Sequence, residues 1–140
     1  MNQTDIKKLL PHREPFLFID SVLRVDETSI TAIRQIREDA FYFKGHYPGN
    51  PIMPGVLLLE IIFQAGALLI ASLVKDQDVV GTPVVTRVTN VKFKKIVRPN
   101  DELSIEAEVL ENIGGVSRFK GKIKVDGKLA VSCEFMAKLA

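Results

Sequence analysis

The sequence is poor in the residues that mark several classes of protein. It has one cysteine, Cys133, and two histidines, His12 and His46, among 140 residues. A single cysteine excludes an intramolecular disulfide, and no Cys/His cluster has zinc-site spacing, so we expect no bound metal. Nineteen basic and seventeen acidic residues give a net charge of +2. That charge is too balanced for the concentrated basic field of a nucleic-acid-binding protein.

The N-terminus has no apolar stretch long enough for a secretory signal, which favours a cytoplasmic protein. One apolar run, 56–74, is interrupted only by Glu60, Gln64, Gly66 and Ser72. Its length would allow it to cross a bilayer, but an ionisable residue such as Glu60 is costly in lipid. We therefore predict a buried core helix rather than a membrane span.

The length and the 46% hydrophobic content fit one globular domain over residues 1–140. Thr4 or Asp5 is expected to cap a short helix that ends before Pro11. Alternating apolar and polar side chains predict strands, at 16–25, 29–37, 84–97, 103–109, 118–125 and 129–135. The last four are predicted to form an antiparallel meander, with Asp126-Gly127 as one hairpin turn.

The predicted fold is therefore α+β, with a curved antiparallel β-sheet wrapped around one long central helix. The sheet has one apolar face, and the helix supplies the surface that this face must cover. Because the helix is apolar on all sides, one sheet can cover only part of it. The remainder is expected to be buried in a dimer.

Glu60 and Gln64 are the strongly polar side chains in the first four turns of the predicted helix. They are four residues apart and so share one face. Burial raises the pKa of an unpaired carboxyl group, and a carboxyl that keeps its proton near neutral pH suits general acid catalysis. From the helix alone, a structural Glu60 bonded to Gln64 or to another subunit is an equally good interpretation.

His46 lies in the loop 41–54, ahead of the helix. A lone histidine is more often structural than catalytic, but three prolines and three glycines within 45–55 indicate a loop of fixed shape. A neutral imidazole beside a protonated carboxyl gives one group that can accept a proton and one that can donate a proton. Pro54 suits the first helical turn, and the N–H of Gly55 is free to bind a carbonyl oxygen that gains charge. Base, acid and oxyanion donor are the parts that α,β-elimination from a thioester requires.

Residues 45–57, GHYPGNPIMPGVL, closely resemble the signature of the 3-hydroxyacyl-acyl-carrier-protein dehydratases of bacterial fatty-acid synthesis. Residues 10–17, LPHREPFL, resemble the N-terminal motif of that family, and 92–94 and 98–101 resemble its later landmarks. The resemblance covers nearly the whole chain and implies the hot-dog fold. Glu60, where the related isomerase branch has Asp, favours the simple dehydratase branch.

The resemblance implies dehydration of a (3R)-3-hydroxyacyl carrier-protein thioester to the trans-2-enoyl product. It makes His46 the catalytic base and Glu60 the catalytic acid, with Gly55 donating its N–H to the thioester carbonyl and Gln64 orienting Glu60. Val56 and Phe63 are the other expected substrate contacts.

The resemblance also implies an active site at a dimer interface, where His46 of one chain works with Glu60 of the other. Dimers are expected to assemble into a hexamer, a trimer of dimers. The acyl chain is expected in a tunnel lined by Leu57, Ile61 and Phe63. No cofactor is expected, because the pantetheine arm arrives with the acyl carrier protein.

Three residues depart from the family pattern. Tyr47 stands where Phe is usual, Asn100 where Gly is usual, and Arg87 where small residues are usual near the tunnel. Arg87 leaves the acyl-chain preference open. A basic group is a candidate docking site for an acidic partner: Lys92, Lys94, Lys95 and Arg98.

Two other functions compete with dehydration. A hot-dog thioesterase or an enoyl-CoA hydratase would use a similar fold on thioesters, and product analysis separates them. A non-catalytic protein that binds acyl thioesters or acyl carrier protein would show no turnover. The sequence leaves open the chain length, the lipid pathway and the exact oligomer.

Overall fold

The computed structural model describes residues 1–79 and 81–140, in which six antiparallel strands form one sheet around a long helix. The elements in chain order are α1 (Gln3–Leu9), β1 (Ser21–Val25), β2 (Ser29–Gln35), a 3-10 helix (Phe41–Lys44), α2 (Gly55–Val74), β3 (Pro83–Phe93), β4 (Glu102–Ile113), β5 (Val116–Val125) and β6 (Lys128–Leu139). The predicted α+β architecture is confirmed.

The strand order is β1-β2-β4-β5-β6-β3, so the predicted four-stranded meander is wrong. The last three strands follow one another as expected, but β3 pairs with β6, where Val88 lies opposite Phe135. The neighbour of β4 on its other side is β2, where Ile30 lies opposite Ala107. Alternation of side chains shows which face of a strand is buried, but it does not identify the neighbouring strand. β1 and β3 are therefore the two edges of the sheet.

The core lies between α2 and the concave face of the sheet. α2 packs mainly against β4, β2 and β5, through a buried stripe of side chains: Leu58, Ile61, Ile62, Ala65, Leu68 and Leu69. In β4, Leu103, Ile105 and Ala107 are buried. The predicted alternation in this strand is confirmed, and it directs one face of the sheet onto the helix.

The chain covers only part of α2. The helix is long and apolar enough to cross a membrane by length and composition, and 44% of its most apolar window is buried in the chain. Val56 is 74% exposed, and Phe63 is only partly buried. The sheet of the same chain therefore leaves part of the surface of the first half of α2 uncovered.

Several predicted boundaries shift for identifiable reasons. Asn2, rather than Thr4 or Asp5, caps α1, because its side chain accepts the N–H of Asp5 while the Asp5 carboxylate accepts the N–H of Asn2. Pro54 precedes the first helical residue with an extended backbone, ψ 128°. The first strand begins at Ser21 rather than at Phe16.

Candidate active site

The imidazole of His46 has a defined orientation and tautomer. Its Nδ1 lies 2.7 Å from the carbonyl oxygen of Ile52, and the N–H of Ile52 donates to the carbonyl of His46 at 3.0 Å. A carbonyl oxygen can only accept, so Nδ1 carries the proton and donates it. The lone pair of the neutral ring is then on Nε2, where it is available to remove a proton.

The loop around His46 is braced on several sides. Tyr47 and Asn50 exchange backbone hydrogen bonds of 3.2 and 3.0 Å, and Arg98 donates to the side chain of Asn50 at 3.1 Å. The N–H of Met53 donates to the carbonyl of Val97 at 2.8 Å. The ring of Tyr47 stacks on His46 with centroids 4.1 Å apart, across a cis peptide bond. The predicted fixed shape of this loop is therefore present.

Glu60 lies in the second turn of α2, on the helix face that the sheet leaves partly uncovered. Burial raises the pKa of the Glu60 carboxyl, and the neighbouring side chain of Gln64 opposes that rise in part. Within residues 1–79 and 81–140, Glu60 and His46 share no hydrogen bond. The raised pKa of Glu60 and the free Nε2 of His46 suit their predicted roles, but no hydrogen bond joins them among the described residues of one chain.

Gln64 is almost fully buried, and its side chain forms hydrogen bonds with two backbone groups. Its Oε1 accepts the N–H of Phe18 at 2.8 Å, and its Nε2 donates to the carbonyl of Phe16 at 2.9 Å. These bonds replace the sheet pairing that the sequence predicted for this segment, which explains why β1 starts only at Ser21. Gln64 therefore ties the N-terminal segment to α2 beside Glu60.

Gly55 is the first residue of α2, where the N–H has no acceptor within the helix. A Cβ at this position would lie 2.9 Å from the ring of Phe93. That ring, at the end of β3, occupies the space that a side chain at position 55 would need.

The other expected substrate contacts lie on different surfaces. Val56 is highly exposed, and Phe63 packs against Phe135 with ring centroids 4.9 Å apart. Ile61, expected along the tunnel, is fully buried in the core, whereas Leu57 is partly exposed. Arg87 is exposed on β3.

Among the described residues, no group of three or more His, Cys, Asp or Glu side chains lies together in a way that could hold a metal ion. The predicted basic group lies near the end of β3 and in the segment that follows it. Lys92, Lys94 and Arg98 are exposed there, and Lys95 is partly exposed.

Two contributions to the site were not foreseen from the sequence. The carbonyl of Ile52 selects the tautomer of His46, and no side-chain pattern indicates a backbone acceptor. The segment Phe16–Phe18 binds Gln64. The sequence did contain a signal for the bonds of Gln64, because a buried amide in an apolar helix needs hydrogen-bond partners.

Comparison with known proteins identifies the family to which the chain is similar. A family model described as a FabA-like domain matches residues 10–134. The 3-hydroxyacyl-acyl-carrier-protein dehydratase FabZ of Coxiella burnetii (strain RSA 331 / Henzerling II) is 41% identical over 138 residues, which cover 97% of each chain. The enzyme of the same name from Clostridium perfringens (strain SM101 / Type A) is 41% identical over 136 residues, 97% of this chain and 96% of that one.

Solved structures with lower sequence identity share the fold. The dehydratase heterocomplex ApeI:P from Xenorhabdus doucetiae superposes with a TM-score of 0.84 at 16% identity, covering 96% of this chain and 90% of that one. A hypothetical thioesterase from Streptococcus pneumoniae TIGR4 superposes with a TM-score of 0.67 at 12% identity, covering 98% and 95%. One fold thus occurs in proteins named for two chemistries, so the residues of the site must decide between them.

Proposed function

This chain belongs to the FabA-like domain family and is a 3-hydroxyacyl-acyl-carrier-protein dehydratase of fatty-acid biosynthesis, and we propose that His46 and Glu60 are its catalytic base and acid. The relatives are dehydratases, which favours dehydration over thioester hydrolysis or binding without turnover. The substrate is presented by acyl carrier protein.

In the proposed reaction Nε2 of His46 takes the proton from C2 of the substrate. The electrons of that C–H bond form the C2–C3 double bond, the C3–O bond breaks, and Glu60 protonates the departing hydroxyl to give water. The N–H of Gly55 stabilises the negative charge that develops on the thioester oxygen. Solvent then restores the proton on Glu60 and removes the one on His46.

The observation that carries this proposal is the 2.7 Å bond from Nδ1 of His46 to the carbonyl of Ile52. It supports a base in which Nδ1 holds a proton and Nε2 is the nitrogen that accepts the substrate proton. A general acid must start protonated, and burial raises the pKa of Glu60 in that direction. A hydrolase that uses its carboxylate as a base would need the opposite protonation of Glu60.

We further propose that the active site is completed in a homodimer that pairs the β3 edges of two chains. β3 is an edge strand with exposed apolar side chains, Val84, Val85, Val88, Val91 and Phe93. An exposed apolar edge of this length is a template for pairing with another chain. In such a dimer His46 of one chain meets Glu60 of the other, which accounts for the lack of a hydrogen bond between them among the described residues of one chain.

The remaining proposals concern assembly and location. Residues 1–140 form a single domain, and three dimers assemble into a hexamer. The basic group docks the acidic carrier protein near Gly55, since Phe93 lies beside Gly55 and between Lys92 and Lys94 in the chain. α2 is a core helix rather than a membrane span, because its most buried residues face the sheet. We place the protein in the cytoplasm.

Turnover of 3-hydroxyacyl carrier-protein thioesters by wild type and His46→Ala tests the proposed function. We expect enoyl product from the wild type and a loss of about two to four orders of magnitude in the variant. Lys128→Ala, at the exposed first residue of β6, serves as the control and should keep full activity. Free acid as the product, or full dehydration by His46→Ala, would contradict the proposal.

A further inference from the structure

Arg98 belongs to the basic group near the end of β3, but its side chain also contacts the loop that carries His46. Its Nη1 donates to Oδ1 of Asn50 at 3.1 Å and lies 3.4 Å from the carbonyl oxygen of Pro51. Across residues 1–79 and 81–140, the side chains of the three lysines of the group form neither a hydrogen bond nor an ion pair. Arg98 is therefore the member of the basic group that is bonded to the His46 loop.

The backbone of Arg98 is held by a turn on the other side. The N–H of Arg98 donates to the carboxylate of Asp101 at 2.9 Å, and the carbonyl of Arg98 accepts the N–H of Asp101 at 3.2 Å. The preceding residue, Val97, is buried and accepts the N–H of Met53 at 2.8 Å. The guanidinium thus extends to the loop from a backbone that is itself fixed.

One peptide group connects the contact of Arg98 to His46. The carbonyl of Pro51, which lies beside Nη1, and the N–H of Ile52 belong to the same planar unit. That N–H donates to the carbonyl of His46 at 3.0 Å, and the carbonyl of Ile52 accepts the Nδ1–H of His46 at 2.7 Å. Because the unit is planar, the direction of the Pro51 carbonyl fixes the direction of the Ile52 N–H. A contact at Pro51 therefore restrains the backbone that orients the imidazole.

We propose that Arg98 is a positioning residue for dehydration, which holds residues 50–52 so that Nε2 of His46 points at C2 of the substrate. This role rests on the proposed function of His46 as the base. Arg98 and Asn50 are both exposed, and exposed polar contacts add little to stability. The contribution of Arg98 therefore lies in the rate of the chemical step, which is sensitive to small displacements of a catalytic group.

Turnover by Arg98→Gln on two substrates separates positioning from docking. One substrate is a 3-hydroxyacyl carrier-protein thioester, and the other is the 3-hydroxyacyl thioester of N-acetylcysteamine, which has no carrier protein. We expect kcat to fall roughly tenfold on both, at an unchanged Tm. Arg24→Gln, at an exposed residue of β1, is the matched control and should keep the wild-type kcat. A raised KM for the carrier-protein substrate, with kcat unchanged on both substrates, would overturn the proposal.

Asn50→Ala keeps the charge of Arg98 but removes the oxygen that accepts its 3.1 Å bond. We expect a lower kcat than in the wild type and an unchanged KM for the carrier-protein substrate. In Asn50→Ala/Arg98→Gln, kcat should equal that of Arg98→Gln, because both substitutions break the same bond. Losses that multiply in the double variant, or a wild-type kcat in Asn50→Ala, speak against the proposed role. Failure of the proposed function is distinct, because it shows as full dehydration activity in His46→Ala.

Discussion

At the scale of single residues, the position of Glu60 in α2 destabilises the ionised form of its carboxyl group. The carboxyl is partly removed from water, and the side chain that opposes the rise in its pKa is the neutral amide of Gln64. The folded protein therefore holds the Glu60 proton to a higher pH than the unfolded chain does. A position that disfavours ionisation of Glu60 lowers the stability of the folded protein at neutral pH. Such a loss of stability is expected at a functional site where the chemistry needs the carboxyl to hold its proton.

Glu60→Gln should lose activity and gain stability. The amide cannot donate a proton to a leaving hydroxyl, so we expect turnover to fall by about two to four orders of magnitude. Because the folded pKa is raised, the carboxyl lowers stability as pH rises from its usual range through the folded pKa. The gain in Tm from the substitution should thus be larger in neutral than in acidic buffer. Glu108→Gln, on the exposed face of β4, should show neither effect.

The identity of the site residues was more predictable than their contacts. His46 and Glu60 stand out in the sequence, because one lies in a rigid loop and the other is the carboxylate of an apolar helix. Their protonation depends on groups that a sequence does not display, such as the backbone carbonyl of Ile52. Whether Gln64 orients Glu60 stays a prediction, since its resolved hydrogen bonds go to Phe16 and Phe18.

At the scale of elements, the close approach of α2 to the sheet depends on a glycine. A Cβ at Gly121 of β5 would overlap a methyl group of Ile62; Ile62 is fully buried and Gly121 is buried as well. The strand can therefore lie against the helix only where it has no side chain. This requirement fixes the depth at which the helix sits in the concave sheet.

Gly121→Ala should destabilise the fold by about 1–3 kcal/mol, because overpacking a rigid core forces side chains or backbone to move. Denaturant unfolding of the purified protein measures this loss. Gly45→Ala is the matched control, since a Cβ there meets nothing within 4 Å and the backbone has an ordinary φ of −106°. That control should change stability by no more than about 0.5 kcal/mol. A neutral Gly121→Ala would show that α2 can shift at little cost.

Secondary structure could be predicted from the sequence, but strand order could not. The alternation in β4, β5 and β6 and the apolar run of α2 predicted these elements and their buried faces. The pairing of β3 with β6 and of β2 with β4 joins segments far apart in the chain. Such contacts are set by how the sheet closes around the helix, a property of the whole fold that local patterns do not contain.

At the scale of the whole molecule, the two edges of the sheet are expected to differ in function. Val88→Lys on β3 places a charge where the partner chain is proposed to pair, and charge at an edge opposes pairing. In light scattering we expect this variant to have a mass well below that of the wild-type assembly, and we expect it to lose activity. Leu23→Lys on the other edge, β1, where Leu23 is 68% exposed, should leave both properties unchanged. Dimers that persist in Val88→Lys would place the interface elsewhere.

The division of the site between chains predicts recovery of activity from two inactive proteins. A dimer of one His46→Ala chain and one Glu60→Gln chain has one site with both residues intact and one site with neither. Random exchange makes half of the dimers mixed, so co-refolding equal amounts should restore about a quarter of wild-type turnover. If both residues act from the same chain, every site in every dimer lacks one of them and turnover stays at the level of the single variants. The assay therefore separates a shared site from two independent ones without any assumption about the geometry of the interface.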